Sequence, residues 1–174
     1  EKSVNFNFEV LNFVVTQRAA EVGIVAGTTT TISADNTLTD INGTFILDSN
    51  STSGFDVGSV GQIINKLPTP ATYVFQFNIS GNKTGGGTSD FQIKPSFKPF
   101  GGSYSLIQVS DGSNSEDVRA RTEYTAGADP ASMTITFTQR FTNVDDEVKV
   151  QIENLNDTDN FVTESLQFIA TRIA

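Results

Sequence analysis

The sequence predicts an all-β protein, an antiparallel β-sandwich of the jelly-roll type. Apolar residues recur at every second position over several segments, whereas the i, i+3, i+4 spacing of an amphipathic helix is rare. Turn-forming sequences such as Asn42-Gly43, Gly85-Gly86-Gly87 and Asp111-Gly112 separate these segments at short intervals. Many short strands joined by turns are typical of sandwiches and jelly rolls.

Two alternating apolar runs open the chain. The first occupies even positions and the second occupies odd positions: Val4, Phe6, Phe8 and Val10, then Leu11, Phe13 and Val15. Side chains of a strand alternate between its faces, so one strand with this pattern changes parity at Val10-Leu11. We expect a β-bulge there.

Four later segments give the clearest strands. In Thr72–Ile79, the side chains of Tyr73, Phe75, Phe77 and Ile79 share one face, which we expect to be core. The same period recurs in Met133–Phe141, Val148–Ile152 and Leu166–Ala170. After Leu166, Ile169 and Ile173 point away from Phe168, so the closing strand is expected to be buried on both faces.

Weaker strand patterns fill the intervals between these segments. They are Val22–Ala26, Thr28–Ser33, Thr44–Leu47, Gln62–Ile64, Phe91–Phe97, Tyr104–Val109 and Val118–Tyr124. Gln62–Leu67 also fits a short helical turn before Pro68. The Gly-rich stretch Ser80–Ser89 is interpreted as a mobile loop between strands, with a turn at Ser80-Gly81-Asn82.

The chain of 174 residues suits one domain, because no repeat or linker divides it. We therefore expect a single jelly-roll head domain over residues 1–174. Its first residue is Glu1. We interpret the sequence as a piece of a longer fibre or surface protein.

Composition excludes several functions. The chain has no Cys, His or Trp, which removes Ser-His-Asp and Cys-His catalysis, zinc sites of His or Cys, and disulfides. We therefore predict no enzyme and no cofactor. A net charge of -9 argues against nucleic acid and anionic membranes as partners. No apolar run approaches the ~20 residues of a membrane span, so no membrane insertion is expected.

Acidic residues flank the strand Val148–Ile152 and form a candidate Ca²⁺ site: Asp145, Asp146, Glu147, Asp157 and Asp159. Their spacing matches no calcium loop, and solvated acidic turns are the alternative interpretation. A pair of glycosidase carboxylates could be drawn from the same residues, but no second feature supports it.

Aromatic side chains are candidates for recognition. Tyr104, Tyr124, Phe97 and Phe100 could offer a ring to a sugar or a protein. Phe100 lies between Pro99 and Gly101-Gly102, a sequence typical of a loop, and is the candidate of most interest. Five Asn-x-Ser/Thr sequons occur, but Asn, Ser and Thr are so common here that we infer no glycosylation.

Three segments, in order, resemble the C1q/tumour-necrosis-factor-like jelly roll. They are the aromatic strand Ala71-Thr72-Tyr73-Val74-Phe75, the acidic turn and strand Asp145–Ile152, and the closing strand Thr163–Ile169. The resemblance covers mainly Gly54 to Ala174. It implies a homotrimer in which one sheet of each protomer packs around a threefold axis while loops are displayed at a tip. Tyr73, Phe75, Phe77, Leu166 and Phe168 would then lie in the core or in the trimer interface.

This resemblance, with the Asn, Thr, Ser and Gly content, favours a phage or viral fibre or spike head that attaches to a host receptor, a cell-surface glycan or protein. It places the chain on a virion surface or at the cell surface. The expected contact surface is formed by Ser80–Ser89, Lys98–Ser103, Asp111–Asp117 and Gly127–Ser132, with Phe100, Tyr124, Asn82 and Lys83 as contact residues. The alternatives are a carbohydrate-binding module, a bacterial surface adhesin domain and a viral capsid-type jelly roll.

Overall fold

A computed structural model describes residues 18–24, 28–48, 54–110, 115–127 and 130–173. The expected strands and bulge between Val4 and Val15 lie outside these residues. The described part consists of strands joined by turns and contains no helix. The strands are β1 (Arg18–Ile24), β2 (Thr28–Thr30), β3 (Thr39–Asp40), β4 (Phe45–Leu47), β5 (Phe55–Val57), β6 (Ile63–Asn65), β7 (Ala71–Lys83), β8 (Thr88–Lys98), β9 (Ser105–Leu106), β10 (Gln108–Ser110), β11 (Ser115–Asp117), β12 (Ala120–Thr125), β13 (Ala131–Phe141), β14 (Glu147–Asn154) and β15 (Phe161–Arg172).

Two antiparallel sheets form a sandwich. Sheet A has the strand order β13-β7-β15-β1-β4, and β2 also pairs with β15. Sheet B has the order β12-β8-β14-β6-β5, with β3 paired to β14 and β9 paired to β8. A separate two-stranded ribbon is formed by β10 and β11. The predicted fold class, an all-β antiparallel sandwich, is confirmed.

Aromatic side chains from the centre of sheet A fill the core. Tyr73, Phe75 and Phe77 of β7 are buried, as are Leu166 and Phe168 of β15. These five residues were expected in the core or in a subunit interface, and the structure places them in the core. Sheet B meets them with Phe91, Ile93, Val148, Val150 and Ile152.

Strand β15 buries one face and leaves the other face partly open. Leu166, Phe168 and Ala170 face the core, whereas Ile169 is half-buried and Ile173 is exposed. The expectation that both faces are buried is therefore wrong for the single chain. The apolar residues on the open side belong to the outer surface of sheet A.

Two local predictions near β6 and β7 are wrong. The helical turn over Gln62–Leu67 is replaced by β6, because Ile63 is buried and pairs with Val148 while Asn65 faces inward. The turn at Ser80-Gly81-Asn82 is replaced by the continuation of β7 to Lys83. Only residues 84–87 of the expected Ser80–Ser89 loop connect β7 to β8.

Gly81 allows β7 to continue past a bulge in its neighbour. The register between β7 and β15 shifts between Thr163 and Ser165. A Cβ atom at Gly81 would lie 2.2 Å from the Val162 carbonyl oxygen and 2.8 Å from the Phe161 ring. The glycine is thus required by close approach of the backbone, not by a turn.

We predict that Gly81→Ala lowers the free energy of unfolding by about 1–3 kcal/mol, since the methyl group overpacks a backbone contact. Gly86→Ala is the matched control, because nothing lies within 4 Å of a Cβ atom there. Its effect should stay within about 0.5 kcal/mol. Urea denaturation of both variants tests this, and equal effects would contradict the assignment.

Candidate functional site

The loops expected to form one tip lie at opposite ends of the sandwich. Strands β7 and β13 pair with Ala131 opposite Gly81 and Phe141 opposite Ala71, so the end of β7 and the start of β13 share one end. The Gly87 carbonyl accepts a hydrogen bond from the Ala126 amide at 2.9 Å, which places residues 84–87 and 126–127 together. We call this the Gly86 end.

Strand β8 then returns to the opposite end of the sandwich. Lys98, its last residue, pairs with Glu147, the first residue of β14. The loop that begins after Lys98 therefore lies beside the β13–β14 turn, and we call this the Phe100 end. The predicted contact surface is corrected accordingly, because consecutive antiparallel strands alternate in direction and their loops alternate between ends.

A buried carboxylate organises the Phe100 end. Asp146 is fully buried, and its Oδ1 accepts a hydrogen bond from the Phe100 amide at 2.9 Å. Its Oδ2 accepts hydrogen bonds from the amides of Thr142 at 2.7 Å and Asn143 at 2.9 Å. One carboxylate thus ties the loop after β8 to the turn after β13.

The pKa of Asp146 reflects this arrangement. Burial alone would raise the pKa, but the hydrogen bonds from the backbone amides of Asn143, Thr142 and Phe100 outweigh it, and the pKa lies below its usual range. The carboxylate is therefore ionised in the folded state at neutral pH. Its charge is stabilised by peptide dipoles.

Asn65 joins a third loop to this end, a role that the sequence did not indicate. Its side-chain amide donates to the carbonyl oxygens of Leu67 at 2.9 Å and Asn143 at 2.7 Å. Its backbone carbonyl accepts from Asp145 at 2.7 Å. The segment that follows β6 is thus fixed to the β13–β14 turn.

Two apolar side chains project from this fixed framework. Phe100 is 66% exposed and Val144 is 39% exposed. Their loops are bound to the same carboxylate, because the amides of Phe100 and Asn143 both donate to Asp146. The predicted loop position of Phe100 is therefore correct, and Val144 is a second exposed apolar side chain that the sequence analysis missed.

Tyr104 belongs to a polar network on the outer side of sheet B. Its hydroxyl donates to Glu147, which also binds the Lys98 ammonium at 2.7 Å. The Lys149 ammonium lies 4.1 Å from the centre of the Tyr104 ring and 2.6 Å from Asp40. Burial and the Glu147 carboxylate raise the pKa of Tyr104. The Tyr104 side chain is therefore engaged by contacts within its own chain.

Tyr124 is a core residue, which corrects its prediction as a contact aromatic. It is 3% exposed, and its ring packs edge-on against Phe91 and Phe161 with centroids 5.3 Å away. Its hydroxyl donates to the Ala131 carbonyl at 3.2 Å. The residue lies on the inner face of β12, so the ring does not reach a partner.

Lys83, also predicted as a contact residue, is buried at the Gly86 end. Its side chain is 1% exposed and forms an ion pair with Asp159, and its ammonium also donates to the Gly86 carbonyl at 2.9 Å. Asn82 lies closer to the surface and donates to Glu164 at 2.7 Å. The Lys83 side chain is thus not accessible to a partner, which corrects its prediction as a contact residue.

The five acidic residues considered for Ca²⁺ lie at both ends of the sandwich. Asp145 pairs with Lys66, and Glu147 pairs with Lys98. At the other end Asp157 accepts from Ser89 at 2.7 Å, and Asp159 binds Lys83. Within the described ranges, no group of three or more acidic residues is arranged to hold a metal ion.

The outer surface of sheet A differs from the rest of the molecule in charge. Side chains at alternate positions of β7, β13 and β15 point away from the core, and we call this set face A: Thr72, Val74, Gln76, Asn78, Thr134, Thr136, Thr138, Arg140, Gln167, Ile169 and Thr171. Arg140 is the one charged side chain in the set. Two carboxylates border the set: Glu21 of β1 lies opposite Ile169 and accepts a hydrogen bond from Gln167, and Glu164 of β15 accepts one from Asn82 at 2.7 Å. Face A thus has few charges over its central strand β7 and carboxylates at its margin.

No protein-family model and no curated protein matches the chain. Solved structures do match in fold. Eiger TNF from S. frugiperda aligns with a TM-score of 0.51 and 8% identity over 91% of this chain and 94% of that chain. Murine APRIL aligns with a TM-score of 0.53 and 10% identity over 87% of this chain and 98% of that chain. The chain therefore has a TNF-like jelly-roll fold, as the resemblance implied. Along its described part, no helix is long and apolar enough to cross a membrane.

We predict that Asp146→Asn lowers the free energy of unfolding by about 2–3 kcal/mol at pH 7, because three amides lose a charged acceptor. The folded-state pKa of Asp146 is lowered, so its stabilisation is complete above the unfolded-state pKa of about 3.9 and is lost as pH falls through the folded-state pKa. The difference in stability between the two proteins should therefore narrow as the pH falls below about 3.9.

Urea denaturation at pH 7, 5 and 3 measures this difference. Asp145→Asn is the matched control, since its exposed ion pair with Lys66 contributes at most about 1 kcal/mol. A constant difference between Asp146→Asn and the parent protein at all three pH values would show that the carboxylate charge is not the cause.

Proposed function

We propose that this chain is a non-catalytic receptor-binding head that assembles as a homotrimer through face A and binds its receptor at the Phe100 end. The observation that carries this proposal is the small number of charged side chains on face A, where Arg140 is the one in the set. Exposed sheet surfaces of a monomer normally carry charged side chains, which keep sheets soluble and apart. Apart from Arg140, face A has threonine, amide and aliphatic side chains instead.

The aliphatic side chains of face A are already half-covered by their neighbours. Val74 and Ile169 are half-buried, and Ile46 and Ile173 at its margin are exposed. Burial of such a surface against another copy removes apolar area from water and desolvates few charges. A threefold assembly, which the TNF-like resemblance implies, would bury face A near the axis.

The Phe100 end supplies the recognition surface in this proposal. Phe100 and Val144 are exposed apolar groups on loops that Asp146 holds in place, so little conformational entropy is lost when a partner binds. Val144 offers no hydrogen-bonding group, which favours a protein receptor over a glycan. Three copies of one site on a trimer would add avidity.

The composition supports display outside the cell. Asn, Thr, Ser and Gly are abundant. We place this head at the surface of a virion or a cell, as the end of a fibre or spike. Its non-catalytic role rests on the lack of His and Cys and on the engagement of the carboxylates at both ends by Lys, Ser and amide donors.

We predict that light scattering of the purified domain gives about three times the chain mass of 18.7 kDa. Ile169→Glu should give monomers, because it places a second carboxylate beside Glu21 and replaces an aliphatic side chain of face A. Phe100→Ser, which changes an exposed apolar residue elsewhere, should leave the trimer intact. A mass near 18.7 kDa for the unmodified domain at micromolar concentration would overturn the assembly proposal.

We predict that Phe100→Ser reduces binding of the labelled domain to receptor-bearing cells by about tenfold or more, the effect of losing one central apolar anchor. Competition with unlabelled domain on a panel of bacterial and eukaryotic cells measures it. Gly86→Ala, at the opposite end of the sandwich, is the control, because nothing lies within 4 Å of a Cβ atom there. Full binding by Phe100→Ser, or binding to no cell in the panel, would contradict the proposed contact surface.

A further inference from the structure

The edge of β13 differs from the other strands at the ends of the two sheets. Strands β4 and β5 have 3 residues each, and β12 carries Arg121 and Glu123. Short length and charge are the usual protections of a sheet edge. Strand β13 has 11 residues, an uninterrupted register with β7, and no charge, proline or bulge before Arg140.

The backbone of β13 presents free groups on its outer edge. In an antiparallel strand, alternate residues point both their N–H and C=O groups away from the paired strand. The carbonyls of Ser132 and Arg140 point outward, since they accept from the Thr122 hydroxyl and the Gln139 amide. Thr134, Thr136 and Thr138 share this direction, and across the described residues β13 pairs with no strand other than β7.

A groove lies along this edge. Its volume is about 610 Å³, within the range of about 300–1,000 Å³ that is typical of ligand pockets. One wall is β13 at Thr136, Phe137 and Thr138, and the opposite wall is the β10–β11 ribbon and its flanks. The ribbon wall presents apolar side chains at Ile107, Val109 and Val118, and Val109 is 61% exposed.

The charges around the groove are close to balance, although Lys94 is shared between Asp117 and Glu153, which lies 3.0 Å from its ammonium. Asp117 accepts from Gln108 at 3.1 Å and forms an ion pair with Lys94 at 3.4 Å. Glu116 and Arg119, on the same wall, have opposite charges. The β13 wall is uncharged from Ala131 to Gln139. The groove therefore suits an uncharged ligand, although the chain as a whole has a net charge of -9.

We infer that the groove binds an uncharged, extended peptide segment of another polypeptide, which adds as a strand to the edge of β13. The outward N–H and C=O groups of Thr134, Thr136 and Thr138 would pair with the peptide backbone, and alternate peptide side chains would pack on Ile107, Val109 and Val118. The ribbon opposite β13 favours a single extended segment, because it would block the approach of the sheet edge of a folded copy.

The probe is the peptide acetyl-Thr-Val-Thr-Val-Thr-Val-Thr-amide, and the readout is amide hydrogen exchange by NMR. We expect the peptide to slow exchange at Thr134, Thr136 and Thr138 by about tenfold or more, since these amides gain acceptors. The same peptide with every amide N-methylated keeps the side chains but lacks donors, and it should not bind.

A pair of variants separates backbone pairing from side-chain contact. Thr136→Pro removes an outward N–H group without changing the β7 ladder, and proline is tolerated at such edge positions. It should weaken peptide binding about tenfold, whereas Thr136→Val keeps the N–H group and should bind normally. The Ile169→Glu background should leave peptide binding unchanged, which makes this test independent of the proposed trimer.

Several results would overturn the inference. One is equal peptide affinity for Thr136→Pro and Thr136→Val, and another is unchanged exchange at the three threonine amides when peptide is added. Slow exchange in the free protein that persists on dilution would mean that the chain itself covers this edge. Slow exchange that is lost on dilution would assign the edge to a second copy.

Discussion

The packing of aromatic rings around β7 is the interaction on which the sandwich depends. The Phe75 ring stacks on Phe137 at 5.3 Å between centroids and contacts Phe168 at 5.7 Å and Phe141 at 5.6 Å. These rings come from β7 and from its two neighbours in sheet A, β13 and β15. A shift in register between these strands would separate the rings. The loops at both ends are positioned by strands that this cluster aligns.

The strand content of the chain could be predicted from its alternating apolar residues. Tyr73, Phe75 and Phe77 identified β7, and the same period identified β13, β14 and β15. The errors occurred where tertiary contacts outweigh local sequence. Gly81 has the sequence context of a turn, but the bulge in β15 makes it a strand residue. The sequence Gln62–Leu67 also fits a helical turn, but Ile63 pairs with Val148 and the segment forms a strand instead.

The candidate site was harder to predict because it depends on which loops meet. Phe100 was identified from its Pro and Gly neighbours, and the structure leaves it exposed. Lys83 was assigned to the contact surface because it lies in the expected loop Ser80–Ser89, and Tyr124 because its ring could contact a ligand. Tyr124 instead faces the core, and Lys83 is buried at the Gly86 end. The role of Asp146 could not be predicted, because the sequence does not show that the loop after β8 and the turn after β13 approach the same carboxylate.

The outer surfaces of the two sheets differ in their charged side chains. The outer side of sheet B is occupied by a network of Lys98, Glu147, Tyr104, Lys149 and Asp40 that segments of the same chain cover. Face A carries one charged side chain, Arg140, and is bordered by Glu21 and Glu164. Sheet B therefore completes its polar contacts within the chain, whereas the outer surface of sheet A carries mainly threonine, amide and aliphatic side chains.

The buried ammonium of Lys83 has a consequence for the conditions in which the Gly86 end keeps its shape. A free cation held by Asp159 and the Gly86 carbonyl would leave as its concentration in the medium fell. Lys83 is bonded to the chain, so its effective concentration at these acceptors is set by the length of a side chain and not by the medium. The connection between β7 and β8 therefore remains anchored after transfer from a concentrated compartment to dilute surroundings.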